Sequence, residues 1–272
     1  MKNALLIFCF LPLMAQTSKP VLPRNEITLT YLANEGFLLQ SATASLLIDA
    51  FVTQPYTIYP YLSGDTWRRM TTAEAPFEKV QLALVSHRHR DHFQADAAIL
   101  FLQKHPETVL VSSGDVVSDL SLETGYASVK ARIKQLLPGP AETLVWSQGD
   151  LRVEVLRITH GGKRWRGLHN LGHVIHMGGM KVLHIGDAST DLSHYEPYRE
   201  QISHLDIAMV PFWFYSDPEG RQVVRDVFAC RYEVAVHIPL QGRQEILDQF
   251  AREHAGVIVF KKEMETRTLA HQ

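Results

Sequence analysis

Short runs of apolar residues recur along the chain, and turn-forming residues separate them. Runs of this length and composition are typical of buried or half-buried β-strands. In the first half, the predicted strands are 27–32, 36–40, 45–49, 80–86 and 108–112. In the second half, they are 151–158, 171–176, 181–185, 207–211, 233–236 and 256–260. The pattern therefore predicts a chain rich in short strands from residue 27 onward.

Helical spacing of apolar residues separates several of these strands. The predicted helices are 95–104, 127–136, 218–230 and 243–254. Residues 52–76 show no clean period, which predicts a long loop, and such loops in compact domains often carry function. Since each β-rich half carries its own helices, we expect an α/β fold in which two sheets pack face to face with helices outside.

Composition agrees with a folded chain that acts through a local site. The 272 residues are 46% hydrophobic and 21% charged, so the chain can bury a core that offsets its ordering entropy. Basic residues number 27 and acidic residues 29, without long runs of one sign, which gives no indication of a nucleic-acid partner. We predict a single domain over residues 24–272.

The N-terminus has the anatomy of a signal peptide. A positively charged start precedes an apolar run over residues 4–15, and polar residues follow. The run is shorter than the roughly 20 residues that span a bilayer, so the competing interpretation is a buried N-terminal helix. We predict a signal peptide over residues 1–15 and a periplasmic or secreted location. Its removal would leave Cys230 as the only cysteine, so no intrachain disulfide is expected.

A cluster of metal-binding side chains directly follows the predicted strand 80–86. Its members are His87, His89, Asp91 and His92. The backbone turns where a strand ends, so several of these side chains can converge on one point. Zinc accepts imidazole nitrogen and carboxylate oxygen, and catalytic zinc sites keep one position open for water. The competing interpretation is a solvated basic loop, because Arg88 and Arg90 alternate with the histidines.

The cluster and several later segments resemble the metallo-β-lactamase superfamily. The matching segments are the end of the early hairpin at 47–49, the cluster itself, and residues 159–161, 170–172, 183–188 and 236–239. The resemblance extends from about residue 27 to residue 260. It implies an αββα four-layer sandwich of two mixed β-sheets flanked by helices, with a metal site at one edge of the sheets.

The resemblance also implies a ligand set for two divalent metal ions. The implied ligands are His87, His89 and His160 for the first metal, Asp91, His92 and His237 for the second, and Asp187 as a bridge between the two. Zinc is the expected metal, although histidine and aspartate ligands also suit manganese or iron.

Some of these assignments leave alternatives open. His160 competes with His169 for the third position on the first metal, because both lie in predicted loops. Three other histidines fall within predicted strands, where packing or surface roles are more common, and they are left out of the ligand set. They are His173, His176 and His184.

Two metals near an open face imply a hydrolase. Zinc lowers the pKa of bound water to about 7, so the resemblance implies a metal-bridging hydroxide as the nucleophile. Asp91 is the implied catalytic residue, which would orient that hydroxide or accept its proton. Asp187 argues against the secreted β-lactamases, which lack the bridging carboxylate.

Residues 33–37 and 170–187 are most similar to the superfamily branch that contains ascorbate-phosphate lactonase and the N-acylphosphatidylethanolamine phospholipases. We therefore expect hydrolysis of a phosphodiester, lactone or related ester. A β-lactam or thioester hydrolase, or a non-catalytic metal-binding module with the same fold, is the alternative.

The expected partner is a small-molecule or lipid-like ester, with no nucleic acid and no transmembrane anchor, and the oligomeric state stays open. Arg88 and Arg90 either steer an anionic substrate or remain solvated. The aromatic run 212–215 is either one wall of an apolar pocket or part of the core. Candidates for an opposite wall are Tyr56, Tyr59, Tyr61 and Trp67.

Overall fold

The computed structural model of the protein describes residues 25–56 and 58–271. In the first half of this part of the chain, the strands are β1 (Glu26–Ala33), β2 (Gly36–Gln40), β3 (Ser45–Ile48), β4 (Leu82–Leu84), β5 (Val109–Ser112) and β6 (Ile133–Gln135). In the second half, they are β7 (Thr143–Gln148), β8 (Leu151–Arg157), β9 (Leu171–Met177), β10 (Met180–His184), β11 (Ile207–Pro211), β12 (Tyr232–Val236), β13 (Ile258–Val259) and β14 (Thr266–Ala270). The predicted signal peptide, residues 1–15, lies outside the described residues.

Helices connect these strands. The α-helices are α1 (Gly64–Thr71), α2 (Ala95–Lys104), α3 (Gly114–Ser121), α4 (Tyr126–Val129), α5 (Trp213–Ser216), α6 (Pro218–Gln222) and α7 (Arg243–Glu253). A π-helical segment, Val223–Phe228, continues α6. Among the described residues, no helix is long and apolar enough to cross a bilayer.

Both sheets are mixed and share one plan. The first has the order β14-β1-β2-β3-β4-β5-β6, antiparallel as far as β3 and parallel from there to β6. The second has the order β13-β12-β11-β10-β9-β8-β7, antiparallel from β7 to β10 and parallel from there to β13. Each half of the chain thus builds one sheet, except that β14 returns to the first.

Three apolar clusters separate four layers. In β3, Leu46 and Ile48 point into the core between the sheets, while Leu47 packs on the opposite face. Phe101 of α2 covers that outer face of the first sheet, and Phe250 of α7 covers the outer face of the second. Because both faces of the central strands are buried, their sequences read as continuous apolar runs. The predicted αββα sandwich is confirmed.

The predicted long loop 52–76 is wrong in part, because it contains α1. The Ser63 side chain caps this helix by accepting a hydrogen bond from the Thr66 N–H at 3.2 Å. Only Thr66 and Met70 of the helix are buried, so its apolar face is too narrow to show a period in the sequence.

The predicted helix 127–136 is also wrong in part. The α-helix ends at Val129, and Ile133 begins the edge strand β6. Between them, Arg132 donates hydrogen bonds to the carbonyl groups of Leu102 and Thr108, both at 2.7 Å. These long-range contacts of the guanidinium hold the chain beside the first sheet. They override the local helix propensity of the segment.

Besides β6, two further strands, β7 and β14, were not predicted. Both lie near an edge of their sheet, and their residues are mostly half-buried or exposed. Their sequences therefore lack the apolar runs that identify central strands.

Candidate metal centre

The loop that follows β4 turns sharply and carries the histidine-rich cluster. The N–H of His92 donates a hydrogen bond to the carbonyl of His89 at 3.0 Å, which closes the turn. His87 and His92 are fully buried, whereas Arg88 and Arg90 are exposed. The alternation seen in the sequence thus separates side chains that face inward from side chains that face solvent.

The other predicted site residues come from the second sheet. His160, Asp187 and His237 follow β8, β10 and β12, three strands that run in the same direction, so their ends meet at one edge. His237 has a φ of 61°, in the left-handed region that is costly for a residue with a side chain. Such strain is typical of functional sites.

Gly186 positions Asp187 at the end of β10. Its φ is 54°, and a Cβ atom there would lie 2.5 Å from Oδ1 of Asn170 and 2.8 Å from Cβ of Ser86. The N–H of Gly161 donates to the Asp187 carbonyl at 2.6 Å, which joins this turn to the loop of His160. Only glycine fits this turn without displacing its neighbours.

The first ligand group consists of His87, His89, His160 and Asp187. His87 Nε2 lies 3.0 Å from His89 Nδ1, which in turn lies 3.3 Å from His160 Nε2. Asp187 Oδ2 is 3.3 Å from His160 Nε2 and 3.7 Å from His87 Nε2. Four ligands around a tetrahedral zinc ion at about 2.0–2.1 Å lie about 3.3 Å apart, so these separations suit one metal ion.

The second ligand group consists of Asp91, His92 and His237. His237 Nε2 is 3.1 Å from His92 Nε2 and 3.4 Å from Asp91 Oδ2. The distance between His92 Nε2 and Asp91 Oδ2 is 3.7 Å. This group is therefore almost as compact as the first.

Asp187 lies between the two groups. Its Oδ2 faces the first group, as described, while Oδ1 lies 3.0 Å from His237 Nε2 and 3.2 Å from His92 Nε2. All seven predicted side chains therefore meet at one place in the fold, although their roles as ligands stay a prediction.

The electrostatics of the two groups differ. Burial holds the pKa of His87 well below its usual range, and burial beside His160 lowers the pKa of His89 to about 4. In the second group, burial opposes the charged form, but the neighbouring Asp187 and other carboxylates outweigh it. They raise the pKa of His237 to about 9 and that of His92 well above its usual value. Nearby carboxylates thus favour a protonated second group in the metal-free protein.

The donor set fits a divalent metal. In the first group, the ring nitrogens of His87 and His89, whose pKa values are lowered, face each other at 3.0 Å, and neutral imidazole is the form that binds metal. A cation between the nitrogens relieves the repulsion of their lone pairs. The mixture of imidazole and carboxylate suits zinc, manganese or iron.

Buried polar side chains support the second group from behind. Asp49 Oδ2 accepts a hydrogen bond from His92 Nδ1 at 2.9 Å, which leaves Nε2 of His92 free to face the metal position. The N–H of Ser86 donates to Asp49 Oδ1 at 2.7 Å. Asn34 Nδ2 donates to the Asp91 carbonyl at 3.2 Å. Sequence analysis missed this support for lack of a local motif, since residues 34, 49 and 92 meet only in the fold.

The structure shows where the histidines outside the predicted ligand set lie. His169 lies outside both groups, with Nδ1 2.9 Å from Asp115 Oδ2, so the structure brings His160 and not His169 into the cluster. His176 Nε2 is 2.8 Å from Oε1 of Glu154, far along β9 from the site. His173 and His184 are fully buried.

Aromatic rings form the mouth of the centre. Tyr59 and Trp213 both contact the ring of His237 edge-on, with centroids 4.3 and 5.0 Å away. Trp165 contacts His89 on the other side at 4.6 Å. Burial and the nearby Asp91 carboxylate raise the pKa of Tyr59 to about 12, so its hydroxyl stays protonated at neutral pH.

Some of the aromatic residues considered as pocket walls lie at the site, and others belong to the core. Tyr59 and Trp213 lie at the site, whereas Phe214 and Tyr215 are buried in the core beneath the second sheet. Trp67 packs against the core of the first sheet. Trp165 was not singled out in the sequence, because it lies in a polar loop without a motif.

An apolar rim adjoins the second ligand group. Ile58 and Leu240 are 42% and 54% exposed, which is high for large apolar side chains. The N–H of Leu240 donates to the Ile58 carbonyl at 2.7 Å, so the loop 52–62 is tied to the loop that follows His237. Arg88 pairs with Asp119, with Nε 3.0 Å from Oδ2, while Arg90 is exposed.

A family model described as the β-lactamase superfamily domain matches residues 28–216. The chain belongs to this superfamily. The match covers both strands and loops of the site up to Asp187, while His237 lies beyond it. A search of curated proteins finds no match to the chain.

Solved structures of the superfamily fold are similar to the chain. Igni18, a metallo hydrolase from Ignicoccus hospitalis, shares 16% identity with a TM-score of 0.64, covering 91% of this chain and 100% of its own. An isothiocyanate hydrolase from Delia radicum gut bacteria shares 15% identity with a TM-score of 0.60, covering 90% and 100%. CmlA, a diiron β-hydroxylase from Streptomyces venezuelae, shares 17% identity with a TM-score of 0.58, covering 92% and 55%.

At these identities the likeness establishes the metallo-β-lactamase fold alone. The names of the similar proteins include two hydrolases and one hydroxylase, so the fold does not determine the reaction. Superfamily membership and the clustered histidine and aspartate residues together support a metal-dependent enzyme.

Proposed function

We propose that the protein is a two-metal hydrolase that cleaves a phosphodiester, lactone or related ester. The observation that carries this proposal is the position of Asp187, whose two carboxylate oxygens face different ligand groups. His87, His89 and His160 would hold one metal, and Asp91, His92 and His237 the other. An anionic bridge offsets the repulsion between two dications.

Metals bound there would supply Lewis acidity and a water molecule of lowered pKa. Side chains of the protein would orient the water molecule and the substrate. Burial opposes ionisation of Asp91, but His92 and His237 outweigh it and lower the pKa of this carboxyl, so Asp91 is ionised at neutral pH. An ionised carboxylate at the open face can orient a water molecule and accept its proton. The protonated Tyr59 hydroxyl can donate a hydrogen bond to a substrate oxygen.

The substrate that fits this mouth is an ester with an apolar portion. Ile58 and Leu240 offer exposed apolar surface beside the second group, and Tyr59 and Trp213 line the path between that surface and His237. The lipid-like or small-molecule ester expected from the sequence is compatible with this arrangement. Zinc is the metal proposed first, with manganese or iron as the alternatives.

The proposal is tested by hydrolysis of a chromogenic panel with the zinc-loaded protein. The panel contains a phosphodiester, a lactone, a thioester and a β-lactam, and His89→Ala is the control variant. We expect metal-dependent turnover of the phosphodiester or the lactone, and none from the folded His89→Ala variant. Full activity in that variant contradicts the proposal. Binding of two metals without turnover of any substrate favours a non-catalytic metal-binding module.

The apolar rim predicts a dependence of KM on acyl-chain length. Leu240→Asn removes part of the surface that a long acyl chain would cover, which amounts to about 1 kcal/mol. We expect the KM for an octanoate ester to rise roughly fivefold, while that for the acetate of the same alcohol is unchanged. Leu122, which is 84% exposed on another part of the surface, provides the matched control in Leu122→Asn. Equal effects of both substitutions exclude the rim from substrate binding.

The two ligand groups are predicted to bind metal with different pH dependence. Because the pKa of His237 is raised to about 9, metal binding to the second group displaces a proton at neutral pH. Its affinity should therefore rise about tenfold per pH unit and per proton between pH 6.5 and 8.5. His87 and His89, whose pKa values are lowered, contribute no such rise to the first group. Calorimetric titration in buffers of different ionisation enthalpy counts the protons, and equal release at both steps contradicts this assignment.

We also propose a periplasmic or secreted location, for which the apolar run 4–15 is the support. The N-terminal sequence of the protein recovered from fractionated cells tests this proposal. A mature chain that begins shortly after residue 15 agrees with it, and an intact N-terminus in the cytoplasmic fraction contradicts it.

A further inference from the structure

A fully buried glutamate and histidine form a pair behind the second ligand group. Glu35 lies in the turn between β1 and β2, and His184 is the last residue of β10. Both have 0% exposure, and Glu35 Oε2 lies 3.1 Å from His184 Nε2. The proposed hydrolysis uses neither side chain, and neither belongs to the predicted ligands.

The ring nitrogen of His184 nearest Glu35 is the one that carries the proton. The N–H of Gly186 donates to His184 Nδ1 at 3.3 Å, so the ring proton resides on Nε2, the atom that faces the glutamate. Neither oxygen of Glu35 has a hydrogen-bond partner among the described residues, so its contact with His184 Nε2 is an approach to 3.1 Å without hydrogen-bond geometry. A carboxylate held in the interior with one such contact is expensive for stability.

The pair is connected to the second ligand group. His184 Nε2 is 3.9 Å from Asp49 Oδ2, the same oxygen that accepts the hydrogen bond of His92 Nδ1. Glu35 also has a carboxylate oxygen within 4.8 Å of ligand atoms of both His92 and Asp187. The Glu35 carboxylate thus places negative charge next to a ligand of the second group and next to the bridging aspartate.

A third metal ion is the competing explanation, since Glu35, Asp49 and His184 also lie within metal-binding distance of one another. The oxygens of Asp49, however, already accept hydrogen bonds from the Ser86 N–H at 2.7 Å, the Ser86 hydroxyl at 2.5 Å and His92 Nδ1 at 2.9 Å. This leaves Asp49 little capacity for a metal, and two ligands alone make a weak site.

We propose that Glu35 and His184 are positioning residues that set the metal affinity of the second ligand group. The Glu35 charge offsets the charge of a cation held by Asp91, His92 and His237. His184 holds the Glu35 carboxylate in place and packs against Asp49. Asp49 in turn orients His92. The inference rests on the proposed two-metal function, but it concerns metal binding and not turnover.

The test compares Glu35→Gln with Glu154→Gln in stepwise zinc titration of the full chain by calorimetry. Glu154 is the control, because its Oε1 lies 2.8 Å from His176 Nε2 and also accepts a hydrogen bond from Arg152 at 2.5 Å, in a glutamate–histidine pair that is remote from the site. Loss of outer support typically weakens metal binding by about 10- to 100-fold. We expect this loss in Glu35→Gln at the binding step that fills the second ligand group, with the other step unchanged. Both steps should be unchanged in Glu154→Gln.

A purely structural role would weaken both steps together or lower thermal stability without changing their ratio, and either result overturns the proposal. Binding of three zinc ions by the unaltered protein and two by Glu35→Gln also overturns it, in favour of a third metal site. If Glu35→Gln does not fold, His184→Gln, which keeps a donor for Glu35, should lose affinity at the second step by a smaller factor. Two-step zinc binding with this dependence but without hydrolysis supports the inference while it contradicts the proposed function.

Discussion

Asp187→Asn is expected to lower metal-dependent turnover by roughly a thousandfold, which corresponds to about 4 kcal/mol of transition-state stabilisation. The substitution keeps the shape of the side chain but removes its charge. Asp187 Oδ1 lies between His92 and His237, and Oδ2 lies beside His160. The variant should therefore lose metal from both ligand groups, whereas a loss of one outer ligand should affect only one group.

Asp206→Asn is the matched control for this variant. Both aspartates are 8% exposed, and Asp206 Oδ2 accepts a hydrogen bond from the Lys181 N–H at 2.8 Å, at the opposite end of β10. Steady-state kinetics together with metal analysis of each purified variant make the comparison. If Asp187→Asn retains two metals and its turnover, Asp187 does not bridge them.

The resemblance could mark the predicted ligands in the sequence because each stands in a short segment that follows the end of a strand. His87 to His92 lie together after one apolar run, and His160, Asp187 and His237 each follow another. Strands that run in one direction bring such positions to one edge of a sheet. The ligand set itself came from the resemblance to the superfamily, and strand ends and residue types, which are local properties, agreed with it.

Glu35 and His184 could not be found in this way. Their contact joins a turn of the first sheet to a strand of the second, over a separation that no local pattern encodes. A histidine inside an apolar run has no sequence feature that distinguishes a packed ring from one paired with a buried carboxylate. The same holds for Arg132, whose backbone contacts end a predicted helix early. Contacts between polar side chains that only long-range packing brings together cannot be predicted from a local pattern.

Removal of metal is expected to lower the melting temperature by about 8 to 16 °C for each site that is emptied. A site filled at a free metal concentration of 1,000 times its Kd adds about 4 kcal/mol to the free energy of unfolding. In a domain of this size, 1 kcal/mol shifts the melting temperature by about 2–4 °C. Differential scanning calorimetry of the zinc-loaded protein, with and without a chelator, measures this shift.

The same measurement on the two aspartate variants separates metal binding from general stability. Asp206→Asn removes a charge that is remote from the site. This variant should therefore keep the full response to chelator even if its melting temperature is lower. Asp187→Asn should show almost no response, because the metals it would lose are already absent, while its melting temperature should lie near that of the chelated parent protein. A chelator response of the same size in Asp187→Asn would mean that metal binding does not depend on this carboxylate. That result would contradict the bridging role of Asp187, whose oxygens lie within 3.7 Å of ligand atoms of both groups.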